Sequence, residues 1–243
     1  MDETLVAKTK RGRKGVWRWV RIPLVALAAI IAIPLVMVPV YSLVPPVSTL
    51  MVGRYLTGQP VTRQWRPIDQ ISDRLKTAVM LSEDGQFCSH NGVDSAALRA
   101  EVEAFLAGAP ARGASTITMQ VARNLFLWNG RSVIRKGLEV PLALYIDFVL
   151  PKRRVMEIYL NIAEWGPDGQ FGVEAGAQAA FGTTAENFTW RRAALLAVTL
   201  PNPHVRRPGQ PSAGLMRVAG IVEARALRFS SHASCLFKGA PAL

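Results

Sequence analysis

The sequence predicts a mainly α protein in which one N-terminal transmembrane helix precedes a helical domain. Three observations carry that fold class. No charged residue occurs between Ile22 and Gly53. From Ile68 onward apolar residues recur at helical spacing, with no run of alternating strands and no internal repeat. The length, 243 residues, permits one sizeable domain or two small ones.

Residues 1–21 form a basic cytoplasmic tail. They hold seven Lys and Arg against Asp2 and Glu3, a net of +5 out of the chain's formal +12. Residues 22–44 follow as the transmembrane anchor, dense in Leu, Ile, Val and Ala and longer than the roughly 20 residues a helix needs to cross a bilayer core. Pro23, Pro34 and Pro39 interrupt it, which membrane helices tolerate better than soluble ones. A buried core helix and a cleaved signal peptide are the rival readings. The run exceeds the about 7–15 apolar residues of a signal peptide, and no small-x-small cleavage site follows, so the anchor is read as uncleaved. Trp17, Trp19 and Tyr41 flank the span where interfacial aromatics gather. The positive-inside rule places the N-terminus in the cytoplasm and the rest of the chain outside the inner membrane. This tail and the surplus of +7 in the rest of the chain suit anionic head groups or phosphates better than nucleic acid. Cys88 and Cys235 leave their pairing open, and without metal-ligand spacing no structural zinc is expected.

Residues 45–67, opening on Pro45-Pro46 and closing on Trp65-Arg66-Pro67, read as an extended linker. The domain then runs over residues 68–230, and residues 231–243 form a tail with no recognisable signal. Leu75 to Leu81 reads as a helix ending at the polar stretch SEDGQFCSHNGVD, Ser82 to Asp94, which gathers two adjacent carboxylates, an aromatic and a histidine. Glu83, at a helix end partly shielded from water, reads as a general base or as a helix-end salt-bridge residue. His90 by itself reads as a hydrogen-bonding prop.

A modest helix over 95–107 and a GAPARG loop at 108–113 come next. In STITMQVARNLFLW, Thr116, Gln120 and Arg123 fall at i, i+4 and i+7, one face that serves solvent or a polar cleft. Arg131, Arg135 and Glu139 recur every four residues. Exposed, such a pair is worth about 0.3–0.5 kcal/mol; buried beside an anion, the same Arg clamps a phosphate. Pro141 is expected to kink this helix, whose run Leu142 to Leu150 belongs to the core. Helices over 155–163, 173–181, 190–200 and 212–229 complete the domain.

Taken in order, EDGQFCSHNGVD, GASTITMQVARNLFL, RKGLE, RRVMEIYLNIAEWG and RRAALLAVTLPNP resemble the successive motifs of the peptidoglycan glycosyltransferases, glycosyltransferase family 51. The resemblance covers residues 68–205, and with a lone anchor in front the chain is similar to the monofunctional biosynthetic transglycosylases of that family. It implies a lysozyme-like, mainly helical fold and polymerisation of lipid II. The growing lipid-pyrophosphate-linked glycan would pass to the 4-hydroxyl of the lipid II N-acetylglucosamine, with inversion to a β-1,4 linkage and release of undecaprenyl pyrophosphate. The implied partners are lipid II, the nascent glycan strand, the inner membrane and other cell-wall synthesis or division proteins. Neither the Ser-x-x-Lys nor the Lys-Thr-Gly motif of a transpeptidase occurs, so no peptide cross-linking is expected.

By the same resemblance Glu83 is the base that activates the acceptor hydroxyl, and Glu139 is a second catalytic carboxylate organising cations or a divalent metal on the donor side. Arg123, Arg135 and Lys136 match basic positions facing the pyrophosphate. Asp84, Phe87, His90, Thr116, Gln120 and Asn161 match positions that shape the cleft and bind substrate oxygens. No tightly bound cofactor is expected; Mg or Mn would stimulate. Two departures stand out: Met119-Gln120 where the family often has Gln-Gln, and Arg123 where it has Lys. Phe105 and Leu106, beside the loop at 108–113, are expected to dip into the outer leaflet. The rival functions are a lytic transglycosylase or hydrolase, which needs no such cation cluster, and an idle membrane scaffold, which needs neither Glu83 nor Glu139.

Overall fold

A computed structural model of the chain describes residues 10–109, 113, 115–130 and 132–239. Arg131, residues 110–112 of the loop at 108–113 and the first nine residues of the basic tail lie outside the described residues. Helix α1 spans Lys10–Val40 and carries Pro23, Pro34 and Pro39 inside it. Its segment Arg21–Val40 has a mean hydropathy of 2.6, is long and apolar enough to cross a membrane, and is only 11% buried. Leu24, Leu27, Ile30 and Ile31 are exposed, so most of its apolar surface has no protein against it. The helix stops at Val40, and residues 41–44 turn away from it instead of prolonging it.

The stretch 45–67 is not an extended linker. It holds helix α2, Thr49–Leu56, whose N-cap Ser48 accepts a hydrogen bond from the Met51 amide at 3.2 Å. It also holds strand β1, Thr62–Arg63, paired in parallel with β2, Gln170–Phe171. Met51 is fully buried. A single anchoring side chain in an eight-residue helix is too short a pattern to show as amphipathic periodicity.

The core is built on α3, Asp73–Glu83, in which every residue from Leu75 to Leu81 is buried. After it come α4 (Ser95–Leu106), α5 (Ile117–Phe126), α6 (Val133–Val149), α7 (Lys152–Ile162), α8 (Val173–Phe181), α9 (Trp190–Ala197) and α10 (Ala213–Phe229). Helices α9 and α10 pack on α3, while α5 packs between α6 and α7. Thr116, Ser132, Thr189 and Ser212 each cap the following helix by accepting a backbone N–H three residues on. Such caps are worth about 1 kcal/mol apiece and set the helix starts. Pro141 does not end α6; the carbonyl it leaves without a donor belongs to Gly137, on the exposed side of the helix.

The segment after residue 230 is not a featureless tail. Ser230–Leu236 forms a 3-10 helix that packs on α3 and α7 and buries Ala233, Cys235 and Leu236. Cys235 is disulfide-bonded to Cys88, with Cα atoms 5.8 Å apart. The stretch that begins at Ser82 is thereby fastened to the end of the domain.

Candidate active site

Glu83 is the last residue of α3, and Asp84 caps the helix by donating its N–H to the Met80 carbonyl at 2.7 Å. The two adjacent carboxylates point to different tasks. Asp84 is buried; its Oδ2 accepts the Ile117 amide at the start of α5 at 3.0 Å and lies 3.0 Å from His90 Nε2. A carboxylate at a helix N-terminus gains from the unpaired amides there. Asp84 therefore ties the end of α3 to the start of α5.

Glu83 faces the polar side of α5 instead. Gln120 Nε2 donates to Glu83 Oε2 at 3.2 Å, and the Tyr159 hydroxyl donates to Gln120 Oε1 at 3.0 Å. Burial raises the Glu83 pKa, opposed by the Gln120 hydrogen bond, by the positive charges of Arg206 and Arg123 and by Ser82. A carboxyl raised by burial yet held near cations is suited to take a proton close to neutral pH. A cavity of about 300 Å³ opens beside it, lined by Ser82, Asp84, Gly85, Arg225, Phe229 and His232.

Arg123 acts on a second cluster as well, one turn into α6. Arg135 Nη1 is paired with Glu139 Oε1, and Lys136 Nζ lies 3.6 Å from Glu139 Oε2. The Arg135 Nε donates to the Gly130 carbonyl at 3.0 Å, which fixes the guanidinium from its other edge. The Lys136 pKa is lowered, first by burial and then by the like charges of Arg123 and Arg135, while Glu139 opposes the shift. Glu139 is 1% exposed and Lys136 34%, so the carboxylate is sealed in and the ammonium is presented outward. The arrangement is a shielded carboxyl at the end of α3, Arg123 acting on both clusters, and a half-open cationic patch on α6.

Several residues expected to line the cleft are instead built into the scaffold. Phe87 is fully buried, edge-on to His90 with Lys152 Nζ 4.7 Å from its ring centre. Thr116 caps α5 and donates its hydroxyl to the Gly92 carbonyl at 2.6 Å, so both its functions are spent inside the fold. Asn161 is fully buried; its Oδ1 accepts the Arg66 amide and its Nδ2 donates to the Arg66 and Glu157 carbonyls, each at 2.8 Å. Fully buried and bonded through both its oxygen and its nitrogen, the amide is not presented to a ligand. His90, Asp84 and these three brace the scaffold, while Glu83 and Gln120 form one cluster and Arg135, Lys136 and Glu139 another, with the charge of Arg123 acting on both.

The family model described as "Transglycosylase" matches residues 50–225, a span that includes all of α2 but its first residue and every residue of both clusters. The chain belongs to the transglycosylase family. It is 54% identical over 212 residues to the "Biosynthetic peptidoglycan transglycosylase" of Brucella suis, covering 86% of this chain and 94% of the relative. The protein of the same description from Agrobacterium fabrum is 52% identical over 215 residues, 88% of this chain and 95% of that one. The one from Rhodopseudomonas palustris is 53% identical over 209 residues, 86% of this chain and 89% of the relative. The enzyme is thus a peptidoglycan transglycosylase, a glycosyltransferase.

Two further residues near Glu83, Tyr159 and Arg206, do not stand out in the sequence. Tyr159 lies within the RRVMEIYLNIAEWG stretch but reads as one more apolar-face aromatic of α7. Arg206 follows the Pro-Asn-Pro breaker in an irregular segment and is steered by its own bond to the Val198 carbonyl at 2.6 Å. No local period could have found it. A divalent ion does not fit Glu139 as it stands, because both carboxylate oxygens already face cations. Among the described residues no three His, Cys, Asp or Glu gather in a metal-binding group.

Proposed function

We propose that the enzyme polymerises lipid II, with Glu83 as the base that removes the proton from the acceptor 4-hydroxyl. A sugar hydroxyl is a poor nucleophile at neutral pH, and a positioned base typically contributes about 10²–10⁴-fold. The attacking oxygen approaches the donor anomeric carbon from the face opposite the departing pyrophosphate, so configuration inverts to a β-1,4 linkage. The leaving group needs no proton if its growing negative charge meets fixed cations. Arg123, Arg135 and Lys136 are placed for that task, and Glu139 keeps the last two oriented while empty of substrate. Undecaprenyl pyrophosphate departs along the membrane. Without the Ser-x-x-Lys and Lys-Thr-Gly motifs, the domain is a glycan polymerase and not a cross-linking enzyme.

Several features support a bacterial inner-membrane location with the catalytic domain in the periplasm. The segment Arg21–Val40 is the candidate span, and the basic residues lie on its N-terminal side. The Cys88–Cys235 disulfide belongs to an oxidising compartment. Helix α6 donates the Tyr145 hydroxyl to the Leu35 carbonyl of α1 at 2.8 Å, inside the candidate span. On α6 the side chains of Ile134, Leu138, Leu144 and Phe148 are exposed. This stripe, more than the loop at 108–113, is the surface that enters the outer leaflet, bringing the cationic patch of the same helix to the head-group plane. Leu106 is exposed too, whereas the side chain of Phe105 lies outside the described residues.

The single observation that carries the reading is the raised, Gln120-bonded Glu83 facing, across Arg123, a cation cluster organised by Glu139. The test is polymerisation of labelled lipid II by detergent-purified protein, wild type beside Glu83→Gln and Glu139→Gln, with products sized and then digested by lysozyme. Lysozyme-sensitive polymer from the wild type and none from Glu83→Gln is expected. Shortening of preformed glycan without polymer would instead assign a lytic reaction, and full activity of Glu83→Gln would remove it as the base.

A further inference from the structure

We infer that Tyr159 is a positioning residue for the catalytic base: its hydroxyl sets the orientation of the Gln120 amide, and that amide holds the Glu83 carboxylate ionised and aimed. The inference rests on the reading of Glu83 as the base. Tyr159 is 1% exposed on α7, and its hydroxyl donates to Gln120 Oε1 at 3.0 Å. A buried hydroxyl that loses its acceptor is costly, so this bond is strongly favoured. Gln120 has an acceptor at one end of its amide and a donor at the other. With Tyr159 donating to the oxygen, only the NH₂ group is left for Glu83, and it reaches Oε2 at 3.2 Å.

The reverse orientation would set the amide oxygen against a carboxylate oxygen. Two acceptors would then face each other in a shielded site, and the proton would be drawn onto Glu83. Burial keeps the Tyr159 phenol far from ionising, with the negative charge of Glu83 acting in the same direction. Tyr159 is therefore a permanent neutral donor throughout the working pH range. The other charged and titratable groups around Glu83 are Arg123 on α5, Arg206 after α9, Asp84 beside it, and Arg225 and His232 across the cavity. None of these bonds to the Gln120 amide oxygen, so none takes over the task. The Met119 side chain that stands before Gln120 is a fully buried thioether with no proton to donate.

The experiment is steady-state lipid II polymerisation against pH for wild type, Tyr159→Phe, Gln120→Ala and the double variant in full-length protein, with Glu83→Gln as a control. Tyr159→Phe keeps the ring and its packing, and a thermal melt confirms the fold. If that variant does not fold, Gln120→Met breaks the same link from the other side. The expected result is a kcat about tenfold lower with little change in KM, the size of one lost hydrogen bond to a charged network. The acid limb of the pH profile moves to higher pH, because Gln120 donation is one of the influences that lower the Glu83 pKa. In the Gln120→Ala background, Tyr159→Phe adds no further loss. Additive losses, or a lower kcat on an unshifted pH profile, would overturn the inference while Glu83→Gln remains inactive. An active Glu83→Gln would overturn the base assignment and this inference with it.

Discussion

Removing the disulfide is the perturbation whose size follows most directly from the fold. Cys88 and Cys235 are separated by 147 residues, so the bond closes nearly the whole catalytic domain into one loop. In the chain-entropy picture a loop of that length removes about 17 cal/mol/K from the unfolded state, or about 5 kcal/mol at room temperature. Measured disulfides commonly return about 2–4 kcal/mol, so that range is expected for the Cys88→Ala, Cys235→Ala double variant. For a domain of this size each kcal/mol moves Tm by about 2–4 °C, which gives a drop of roughly 10 °C. The assay is thermal unfolding of the full chain in detergent, wild type with and without reductant beside the double variant. Reduction supplies the comparison in which no side chain has been truncated. Because Cys88 lies between Phe87 and the Ser89–His90 turn that braces Asp84, the loss also loosens the Glu83 end of α3. A double variant melting within about 2 °C of the oxidised wild type would refute the reasoning, since the loop would then contribute almost nothing.

Other outcomes follow from single residues. Burial raises the Glu83 pKa, so the folded state holds that proton more tightly than the unfolded chain; stability falls as pH rises through the raised value and the cost is complete above it. Glu83→Gln is therefore expected to melt higher than wild type at neutral and alkaline pH and to converge with it in acid, while polymerisation falls about 10²–10⁴-fold; equal melting curves at alkaline pH would contradict this. Glu139→Leu leaves Arg135 buried without its counter-charge and is expected to cost about 3–5 kcal/mol in urea unfolding, whereas Arg135→Met with Glu139→Leu together cost less than either alone. Gly92 has φ +79°, and a Cβ there would meet the Ala143 carbonyl oxygen at 2.5 Å, so Gly92→Ala is expected to destabilise by at least the about 1–3 kcal/mol of the strained backbone. Its Tm is the check, and an unchanged value would show that α6 can recede from the loop.

Much of the architecture was legible because it is written in local pattern. The uncharged stretch after Arg21 marks the candidate span, and apolar periodicity marks the helices from α3 to α10. The linker and tail were misjudged for one shared reason. Helix α2 and the closing 3-10 helix are short, and each is held by a few anchors, Met51 in one and Cys235 with Leu236 in the other. Such elements form because something distant receives them, and periodicity over a few residues carries no sign of that.

The sequence by itself determined the order of motifs, the residue types available for chemistry and the sidedness of charge about the candidate span. Chemistry of that kind depends on which side chains exist, and side chains are read directly. Only the tertiary structure decided which of them share a shielded cleft, which gather as a cation patch and which are spent inside the scaffold. Glu83 and Asp84 are neighbours of the same charge, yet one bonds Gln120 in a shielded cleft and the other is spent on the Ile117 amide and His90. Asn161 and Thr116 carry polar groups that a sequence shows as available and the fold shows as consumed. Tyr159 and Arg206 enter the site from segments 76 and 123 residues beyond Glu83. Burial and hydrogen-bond satisfaction are properties of the assembled environment, and they alone separate a catalytic carboxylate from a structural one.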